Sequence, residues 1–279
     1  MNPKLVVCDI DNTLVARHNN MSSNTKQAIK FLNEKSIVFG IASGRPYCQV
    51  EPLIKKWNID VDFIISANGC ELIDFKSNQI NNYYFMKAEW IKEIIELMKP
   101  FNANAMMVID GIQTVEFMDD EVLSSSKYIG TIPRIVDDIS EFYIDCPKIM
   151  FRVNPKIMDE CEAYVKSLDN KEYKGFKTQP YLIEFTNKMV SKAFALNEFC
   201  KRVSIDKKDC WAFGDTSNDN DMLVYSGKGI CMLNGSDDTK AIADEITYKT
   251  CDEDGFADYV FRKIGEEWWV IDLNIFYRQ

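Results

Sequence analysis

Two carboxylates lie two positions apart near the N-terminus of this 279-residue chain. Asp9 and Asp11 follow the apolar run Leu5–Cys8, which is typical of a buried strand. Because side chains alternate along a strand, both carboxylates leave on the same side while Ile10 turns away. One carboxylate can attack a phosphorus or carbonyl centre while the other transfers the proton. A solvated acidic turn would show the same pattern, so the pair alone leaves both interpretations open.

A second polar cluster follows the next apolar run of the chain. Residues 37–42 have the composition of a buried strand, and Ser43, Gly44 and Arg45 come directly after it. Exposed N–H groups at a strand end, a small hydroxyl and a guanidinium together suit an anion. In an open parallel sheet, ligands bind at the edge where the carboxyl ends of the strands meet.

A lysine and an acidic loop complete the set of residues that could carry chemistry. Lys192 begins an amphipathic helix, where the helix dipole disfavours a cation, so a nearby anion would explain the lysine. The strand-like residues 210–214 lead into a loop with Asp215, Asn218 and Asp219. Their oxygen atoms are the ligands that a hard cation prefers.

Taken in chain order, these segments resemble the haloacid dehalogenase superfamily of phosphohydrolases. That superfamily has an Asp-x-Asp-x-Thr strand end, a Ser or Thr strand end, a Lys and a Gly-Asp-x-x-x-Asp loop, and the finer match is to its Cof-type subfamily. The positions that carry the resemblance are Asp9, Asp11, Thr13, Ser43, Gly44, Arg45, Asn68, Gly69, Lys192, Gly214, Asp215, Asn218, Asp219 and Met222.

The chain departs from the superfamily pattern in three loops. Asn12 and Ala193 stand where glycine is more usual, and residues 233–235 read Leu-Asn-Gly instead of Gly-Asn-Ala. None of these differences removes a charge from the expected site. They therefore concern loop detail and close backbone contacts rather than the chemistry.

The resemblance implies a Mg²⁺-dependent phosphatase that works through an aspartyl-phosphate intermediate. Asp9 is then the nucleophile, and Asp11 the general acid and base. The implied metal ligands are Asp9, the backbone carbonyl of Asp11 and Asp215, with Asp219 either a ligand or a residue that orients the ligands. Implied phosphate-binding residues are Ser43, Gly44, Lys192 and Asn218. Candidate substrate-binding residues are Arg45, Asn68, Gly69, Glu184 and Thr186.

The implied substrates are small phosphorylated metabolites, sugar phosphates above all. Two alternatives stay open at this stage. A phosphomutase or phosphotransferase would form the same aspartyl phosphate but pass it to a sugar hydroxyl instead of water. A catalytically idle binding protein could use the same scaffold, although such proteins commonly lose one of the acids that this chain keeps.

Composition narrows the class of protein further. Lys and Arg total 33 against 43 Asp and Glu, which gives a net charge of −10 and argues against nucleic-acid or membrane-surface partners. Nine cysteines without a Cys-x-x-Cys pair favour reduced core thiols over disulfides or zinc. No signal peptide or membrane-spanning run is recognisable, so we expect a cytoplasmic enzyme. The oligomeric state cannot be predicted from the sequence.

The pattern of elements predicts an α/β fold, with a Rossmann-like parallel-sheet core and an inserted α+β cap domain. Strand and helix signals alternate up to about residue 85 and again after Lys192, which places the core at 1–84 and 189–279 and the cap at 85–188. The predicted helices cover 22–35, 88–98 and 155–168, and the predicted strands 63–66, 70–74, 82–85, 105–110, 114–118, 148–153, 181–185, 211–214 and 229–233.

Several other signals carry less weight. His18 is the only histidine and lies in a polar stretch, so we expect it to be solvated. The acids at 119–121 are expected to be solvated loop charges. The Ser-x-x-Lys match at 124–127 lacks its companion motifs. The aromatic tail at 266–277 is expected to dock on the core.

Overall fold

Two β-sheets organise the computed structural model, which describes residues 2–16 and 20–265. The strands are β1 (Leu5–Cys8), β2 (Val38–Ala42), β3 (Phe63–Ser66), β4 (Glu71–Asp74), β5 (Gln79–Asn82), β6 (Asn104–Ile109), β7 (Ile112–Val115), β8 (Arg134–Ile135), β9 (Ile149–Arg152), β10 (Tyr173–Gln179), β11 (Leu182–Asn187), β12 (Cys210–Gly214), β13 (Lys228–Cys231) and β14 (Glu245–Ile246). The helices are α1 (Ser23–Glu34), α2 (Tyr47–Trp57), α3 (Ala88–Met98), α4 (Asp120–Ile129), α5 (Met158–Ser167), α6 (Lys192–Val203), α7 (Asn220–Tyr225), α8 (Asp237–Ile242) and α9 (Gly255–Ile264).

The first sheet brings the chemistry-bearing strand ends to one edge. Its order is β14-β13-β12-β1-β2-β3-β4-β5, and every neighbouring pair from β14 to β3 is parallel. Parallel strands covered on both faces are apolar throughout, which explains the uninterrupted run that forms β1. Since β1, β2 and β12 are direct neighbours, the residues that follow them, Asp9, Ser43 and Asp215, leave the sheet at the same edge. The predicted α/β fold with a parallel core sheet is confirmed.

The second sheet is largely antiparallel and carries a core of its own. Its order is β10-β11-β9-β6-β7-β8, and only the last pair is parallel. Helices α3 and α5 pack against one face through buried apolar residues that include Ile94, Cys161 and Val165. Alternation along β11 sends Ile183 and Phe185 into this core.

The chain divides into two compact units. The first comprises Met1–Gly44, Ile54–Ile80 and the described part of Ser191–Gln279, and the second comprises Arg45–Leu53 and Asn81–Val190. The second unit thus includes a short segment from the beginning of α2 that the sequence did not suggest. The division into a catalytic core at 1–84 and 189–279 and a cap at 85–188 stays a prediction.

Several predicted elements agree with the structure. The bounds of β3 and α3 match the predicted ones. Helix α1 is preceded by Ser22, whose hydroxyl accepts a hydrogen bond from the backbone N–H of Thr25 at 3.0 Å, so Ser22 acts as the N-cap. All nine cysteines are free thiols, as expected. His18 and the tail at 266–277 lie outside the described residues.

The second strand of the predicted hairpin is misplaced. The sequence suggested 82–85, but β5 spans Gln79–Asn82. The Asp74 carboxylate accepts hydrogen bonds from the backbone N–H of Lys76 and from both the N–H and hydroxyl of Ser77, and Asn78 takes a positive φ of 55°. Because this tight turn reverses the chain by Asn78, the next strand begins at Gln79, three residues before the predicted start.

The loop predicted at 119–121 is wrong, because these acids begin helix α4, although Asp120 and Glu121 are exposed to solvent as expected. The Asp119 carboxylate accepts hydrogen bonds from the backbone N–H groups of Glu121 at 3.1 Å and Val122 at 2.9 Å, which makes it an N-cap. The helix ends at Gly130, whose φ of 83° is the usual C-terminal conformation. The Ser-x-x-Lys match at 124–127 lies inside this helix.

A cluster of ion pairs lies at β14, the edge strand of the first sheet. Glu245 in β14 accepts hydrogen bonds from Lys228 Nζ at 2.8 Å and from the Tyr259 hydroxyl at 2.8 Å, and it pairs with Lys263 Nζ at 2.8 Å. The last two donors belong to α9, so the carboxylate links this helix to the edge strand.

Candidate active site

Lys192 and Asp9 form the centre of the candidate site. Lys192 is the first residue of α6 and is only 1% exposed. Its Nζ donates to Asp9 Oδ1 at 2.7 Å, to Asp219 Oδ1 at 2.6 Å and to the backbone carbonyl of Ala42 at 2.9 Å. The anion that the sequence implied near this lysine is therefore a pair of carboxylates. Three acceptors satisfy all three protons of the ammonium group.

Asp219 holds the acidic loop in shape. Its Oδ2 accepts hydrogen bonds from the backbone N–H of Asp215 at 2.9 Å and of Thr216 at 3.3 Å, while Oδ1 accepts from Lys192. Gly214 permits this arrangement, because a Cβ there would lie 2.5 Å from the Cβ of Asp219. Both carboxylate oxygens of Asp219 thus have partners within the protein.

Asp215 lies at the end of β12 and is 4% exposed. Its Oδ1 accepts a hydrogen bond from the Thr13 hydroxyl at 3.0 Å. Carboxylate oxygens of Asp9, Asp215 and Asp219 lie within 4.8 Å of one another. The fold therefore brings Asp9 together with Asp215 and Asp219 of the distant acidic loop.

The charges of this cluster do not balance. When all three buried carboxylates are ionised they face one buried ammonium group, which leaves two negative charges uncompensated. Burying unpaired charge is costly, and a divalent cation held by oxygen atoms would remove that cost. The donor set is therefore suited to Mg²⁺, with Asp9 and Asp215 as the carboxylates best placed to bind it, since Asp219 is already engaged.

The electrostatics of the cluster shift its pKa values. Burial raises the pKa of Asp9 well above its ordinary range; Lys192 opposes this, and the nearby carboxylates add to it. Burial, with the charge of Asp219, raises the pKa of Asp215 to about 7, although the hydrogen bond from Thr13 opposes this. For Lys192, burial alone would lower the pKa, but the carboxylates of Asp219 and Asp9 outweigh it and raise the pKa.

A polar rim in the same unit includes four further predicted residues. Ser43 is 1% exposed, and its backbone carbonyl accepts a hydrogen bond from Asn68 N–H at 3.0 Å. Asn68 Oδ1 accepts from Asn218 Nδ2 at 3.2 Å. A Cβ on Gly44 would lie 3.2 Å from that same Oδ1. Ser43, Gly44, Asn68 and Asn218 are thus neighbours, and their role in binding phosphate or substrate stays a prediction.

Gly69 has a structural explanation that the sequence did not reveal. Its φ is 107°, and a Cβ there would overlap the backbone carbonyl of Ser191. Ser191 is the N-cap of α6, and its hydroxyl also bonds the carboxylate of Asp221. Gly69 therefore allows the close backbone approach that sets the start of the helix carrying Lys192.

Asp11 begins a tight turn after β1. It forms an isolated β-bridge with Val15, and the N–H of Asn12 donates to the Val15 carbonyl at 2.7 Å. Asn12 takes a φ of 62°, a conformation that asparagine tolerates better than most residues. The glycine usual in the superfamily at this position is thus replaced without loss of the turn. The acid–base role of Asp11 stays a prediction.

Arg45, Glu184 and Thr186 belong to the second unit. The Arg45 guanidinium lies 5.8 Å from the ring centroid of Tyr128. Glu184 in β11 accepts a 2.7 Å hydrogen bond from Lys148 Nζ, and both side chains are buried. Thr186 Oγ1 is buried without a hydrogen-bond partner among the described residues. The expected substrate-binding role of these residues stays a prediction.

Comparison with known proteins identifies the family. The model of the haloacid dehalogenase-like hydrolases matches residues 6–260, so the chain belongs to that family. The resemblance predicted from the motifs is thereby confirmed. Among the described residues, each helix is too short or too polar to serve as a membrane span.

Individual relatives cover almost the whole chain. The 5-amino-6-(5-phospho-D-ribitylamino)uracil phosphatase YitU of Bacillus subtilis is 24% identical over 263 residues, 92% of this chain and 96% of the relative. A haloacid dehalogenase-like hydrolase from Bacteroides thetaiotaomicron has a TM-score of 0.84 at 24% identity, covering 94% of this chain and 99% of that one. A subclass IIB sugar phosphatase of the superfamily has a TM-score of 0.76 at 20% identity, covering 94% and 98%.

Proposed function

We propose that this protein is a Mg²⁺-dependent phosphatase that hydrolyses small phosphomonoesters through an aspartyl phosphate on Asp9. The observation that carries the proposal is the buried cluster of Asp9, Asp215 and Asp219 around the single ammonium group of Lys192. It combines a nucleophile, a fixed positive charge and two uncompensated negative charges at one sheet edge. A divalent cation and a phosphate ester can use all of these together.

The reaction has two steps. In the first, an oxygen of Asp9 forms a bond to phosphorus while the ester P–O bond breaks, and Asp11 gives its proton to the leaving alcohol. In the second, a water molecule attacks the phosphorus of the acyl phosphate and Asp11 takes the water proton. The P–O bond to Asp9 breaks, which releases inorganic phosphate and regenerates both carboxyl groups.

Asp9, Asp215 and the backbone carbonyl of Asp11 would hold the metal. Mg²⁺, when bound, would neutralise carboxylate and phosphate charge, so that the two can approach. Lys192 fixes the position of the nucleophile through its 2.7 Å hydrogen bond to Asp9 Oδ1. Asp219 acts as a positioning residue, since its oxygens bond Lys192 and two backbone amides. Ser43, Gly44 and Asn218 bind the oxygens of the transferring phosphoryl group.

Sugar phosphates and related polyol phosphates are the proposed substrates. The names of two similar proteins, a phosphoribitylamino-uracil phosphatase and a sugar phosphatase, both describe a phosphate ester on a sugar-derived alcohol. We assign the choice among such esters to the inserted cap at 85–188, and we propose Arg45, Asn68, Gly69, Glu184 and Thr186 as candidate substrate-binding residues. The free thiols fit a reducing cytoplasm.

Release of inorganic phosphate from p-nitrophenyl phosphate and from a panel of sugar phosphates tests the proposal. We expect hydrolysis that needs Mg²⁺, stops in excess chelator and returns when Mg²⁺ is restored. Counting free phosphate against transferred phosphate separates hydrolysis from transfer to a second sugar. Full activity in chelator would refute the metal requirement, and phosphate found only on a sugar product would identify a phosphotransferase.

Two Asp→Asn substitutions, one in the candidate site and one outside it, test the role of Asp9. Asp9→Asn removes the nucleophilic oxygen with almost no change in shape, so we expect at least a thousandfold loss of hydrolysis, since the acyl phosphate cannot form. Asp62→Asn makes the same change at a carboxylate whose partner is the backbone N–H of Phe39 at 2.8 Å, at the opposite end of the parallel strands. Activity in that variant should stay within about twofold of the wild type. Equal activities in the two variants would overturn the assignment of Asp9.

A further inference from the structure

Asn234, to which the sequence assigned no role, joins three loops at the active-site edge. Asn234 lies in the loop after β13, and its Nδ2 donates a hydrogen bond to the backbone carbonyl of Asn12 at 2.8 Å. Its Oδ1 accepts from the backbone N–H of Cys251 at 2.8 Å. A single side chain thus connects the turn after β1 to the segment after β14 and satisfies a backbone group in each.

The turn that Asn234 contacts begins with Asp11. Asn12 donates its own N–H to the Val15 carbonyl at 2.7 Å and presents its carbonyl to Asn234. Both backbone polar groups of this left-handed residue are therefore fixed, and its φ is 62°. The peptide that precedes Asn12 contains the carbonyl of Asp11. A change in the torsion angles of Asn12 would rotate that carbonyl directly.

The loop that carries Asn234 is itself anchored beside the acidic cluster. Gly235 donates its N–H to the Met232 carbonyl at 2.8 Å, and Ser236 donates to the carbonyl of Asp215 at 2.8 Å. A Cβ on Gly235 would lie 2.9 Å from that same Asp215 carbonyl, so the two backbones are in close contact. Asn234 is therefore held at a fixed distance from Asp215 while it holds the turn of Asp11.

We propose that Asn234 is a positioning residue that sets the spacing between the Asp11 carbonyl and the Asp215 carboxylate, and thereby the geometry of the divalent-cation site. The inference rests on the proposed function, in which these two groups bind Mg²⁺. It assigns a task to a residue that contacts neither the nucleophile nor the metal. Outer residues that orient metal ligands commonly change metal affinity when they are replaced.

Two substitutions at this position separate its two hydrogen bonds. Asn234→Asp keeps an oxygen that can accept from Cys251 N–H but loses the donor to the Asn12 carbonyl. Asn234→Ala loses both. Asn33→Asp is the matched control, because Asn33 is a half-buried asparagine whose Nδ2 donates to the backbone carbonyl of Asp60 at 3.1 Å, at the opposite end of the strands.

Mg²⁺ binding by calorimetry and amide hydrogen exchange of the metal-free proteins are the two readouts. We expect Asn234→Asp to bind Mg²⁺ roughly three- to tenfold more weakly, the effect of losing one partly exposed hydrogen bond, and Asn234→Ala, which loses two, to bind it at least as weakly. The extra negative charge of Asn234→Asp would by itself favour Mg²⁺, so weaker binding in this variant points to geometry. Segment 10–16 should exchange faster in both variants and should be unchanged in Asn33→Asp.

Three results would overturn the inference. One is wild-type Mg²⁺ affinity in both Asn234 variants, whatever their exchange rates. Another is equal loss of Mg²⁺ affinity in Asn33→Asp, which would show a general effect of the substitution. A wild-type protein that binds no Mg²⁺ is a different result, because it refutes the proposed function. Unchanged exchange in segment 10–16 would show that Asn234 does not hold the turn.

Discussion

Replacing Asp215 with asparagine should stabilise the metal-free protein at neutral and alkaline pH. Burial and the Asp219 charge raise the pKa of Asp215 from 3.8 to about 7 in the folded state. The folded protein therefore binds more protons than the unfolded chain between these two pH values, so stability falls as pH rises through this window. The shift corresponds to about 4 kcal/mol above pH 7. Asparagine carries no charge and can still accept the Thr13 hydrogen bond.

The assay is urea denaturation in chelator at pH 4, 5, 6, 7 and 8 for wild type, Asp215→Asn and the control Asp62→Asn. We expect the free energies of unfolding of wild type and Asp215→Asn to agree near pH 4. They should then diverge by about 2 to 4 kcal/mol at pH 8, with the variant more stable. Using the difference between the two proteins cancels the titrating groups that lie away from the acidic cluster.

Added Mg²⁺ should reverse that order. Saturating metal stabilises the wild type through preferential binding to the folded state, whereas the variant lacks one of the two carboxylate ligands. A difference in the free energy of unfolding that stays constant from pH 4 to pH 8 would show that ionisation of Asp215 does not destabilise the folded protein. An equal gain from Mg²⁺ in both proteins would show that Asp215 is not a metal ligand.

Two further predictions concern Gly69, which contacts the start of α6, and Glu245 in the edge strand β14. Gly69→Ala should destabilise the protein by about 2 kcal/mol or more and lower kcat, because the new methyl group displaces Ser191. Gly111→Ala is the control: Gly111 also has a positive φ, but a Cβ there meets no atom within 4 Å, so this variant should lose less stability and keep its kcat. For Glu245, burial alone would raise the pKa, but the hydrogen bonds from two lysines and a tyrosine lower it to about 2. Its contribution is therefore present above pH 4.5 and lost as pH falls towards 2, so Glu245→Gln should cost about 1 to 2 kcal/mol at pH 7 and almost nothing at pH 2 in chemical denaturation. Glu198, whose carboxylate pairs with the exposed Lys201, is the control, and Glu198→Gln should cost little at either pH. A kcat loss in Gly111→Ala equal to that of Gly69→Ala, or a pH-independent cost for Glu245→Gln, would contradict these two accounts.

The strand ends that carry the site could be predicted because they depend on local patterns. A short apolar run followed by an acid is enough to place Asp9 at the end of β1, since a buried parallel strand tolerates no charge before its end. The place of Lys192 could be inferred for a similar reason, because a cation in the first turn of a helix needs an anion nearby. The structure supplies two carboxylates there.

Helix α4 was missed although both of its ends are marked in the sequence. Its serine-rich centre lacks a clear apolar period, and that lowered its helical signal. Asp119 at the start and Gly130 at the end are the usual capping residues and would have identified it. The capping residues therefore indicated a helix, but the polar composition of the segment led to the prediction of a loop.

Other features could not be predicted, because they depend on contacts between distant parts of the chain. Gly69 reads as a loop residue until its backbone is seen against Ser191. The hydrogen bond from Asn234 to Asn12 joins residues 222 positions apart. The engagement of both Asp219 oxygens, which favours a positioning role over metal binding, also follows only from the folded geometry.

We expect Asp9 to become phosphorylated during turnover while Asp11 transfers protons. Rapid acid quench with a labelled phosphate ester, followed by borohydride reduction and mass spectrometry, tests it directly, because reduction converts a phosphorylated aspartate into homoserine. We predict homoserine at position 9 in the wild type, more of it in Asp11→Asn, where hydrolysis of the intermediate is slowed, and none in Asp9→Asn. Homoserine at position 11, or phosphoenzyme in Asp9→Asn, would contradict the account.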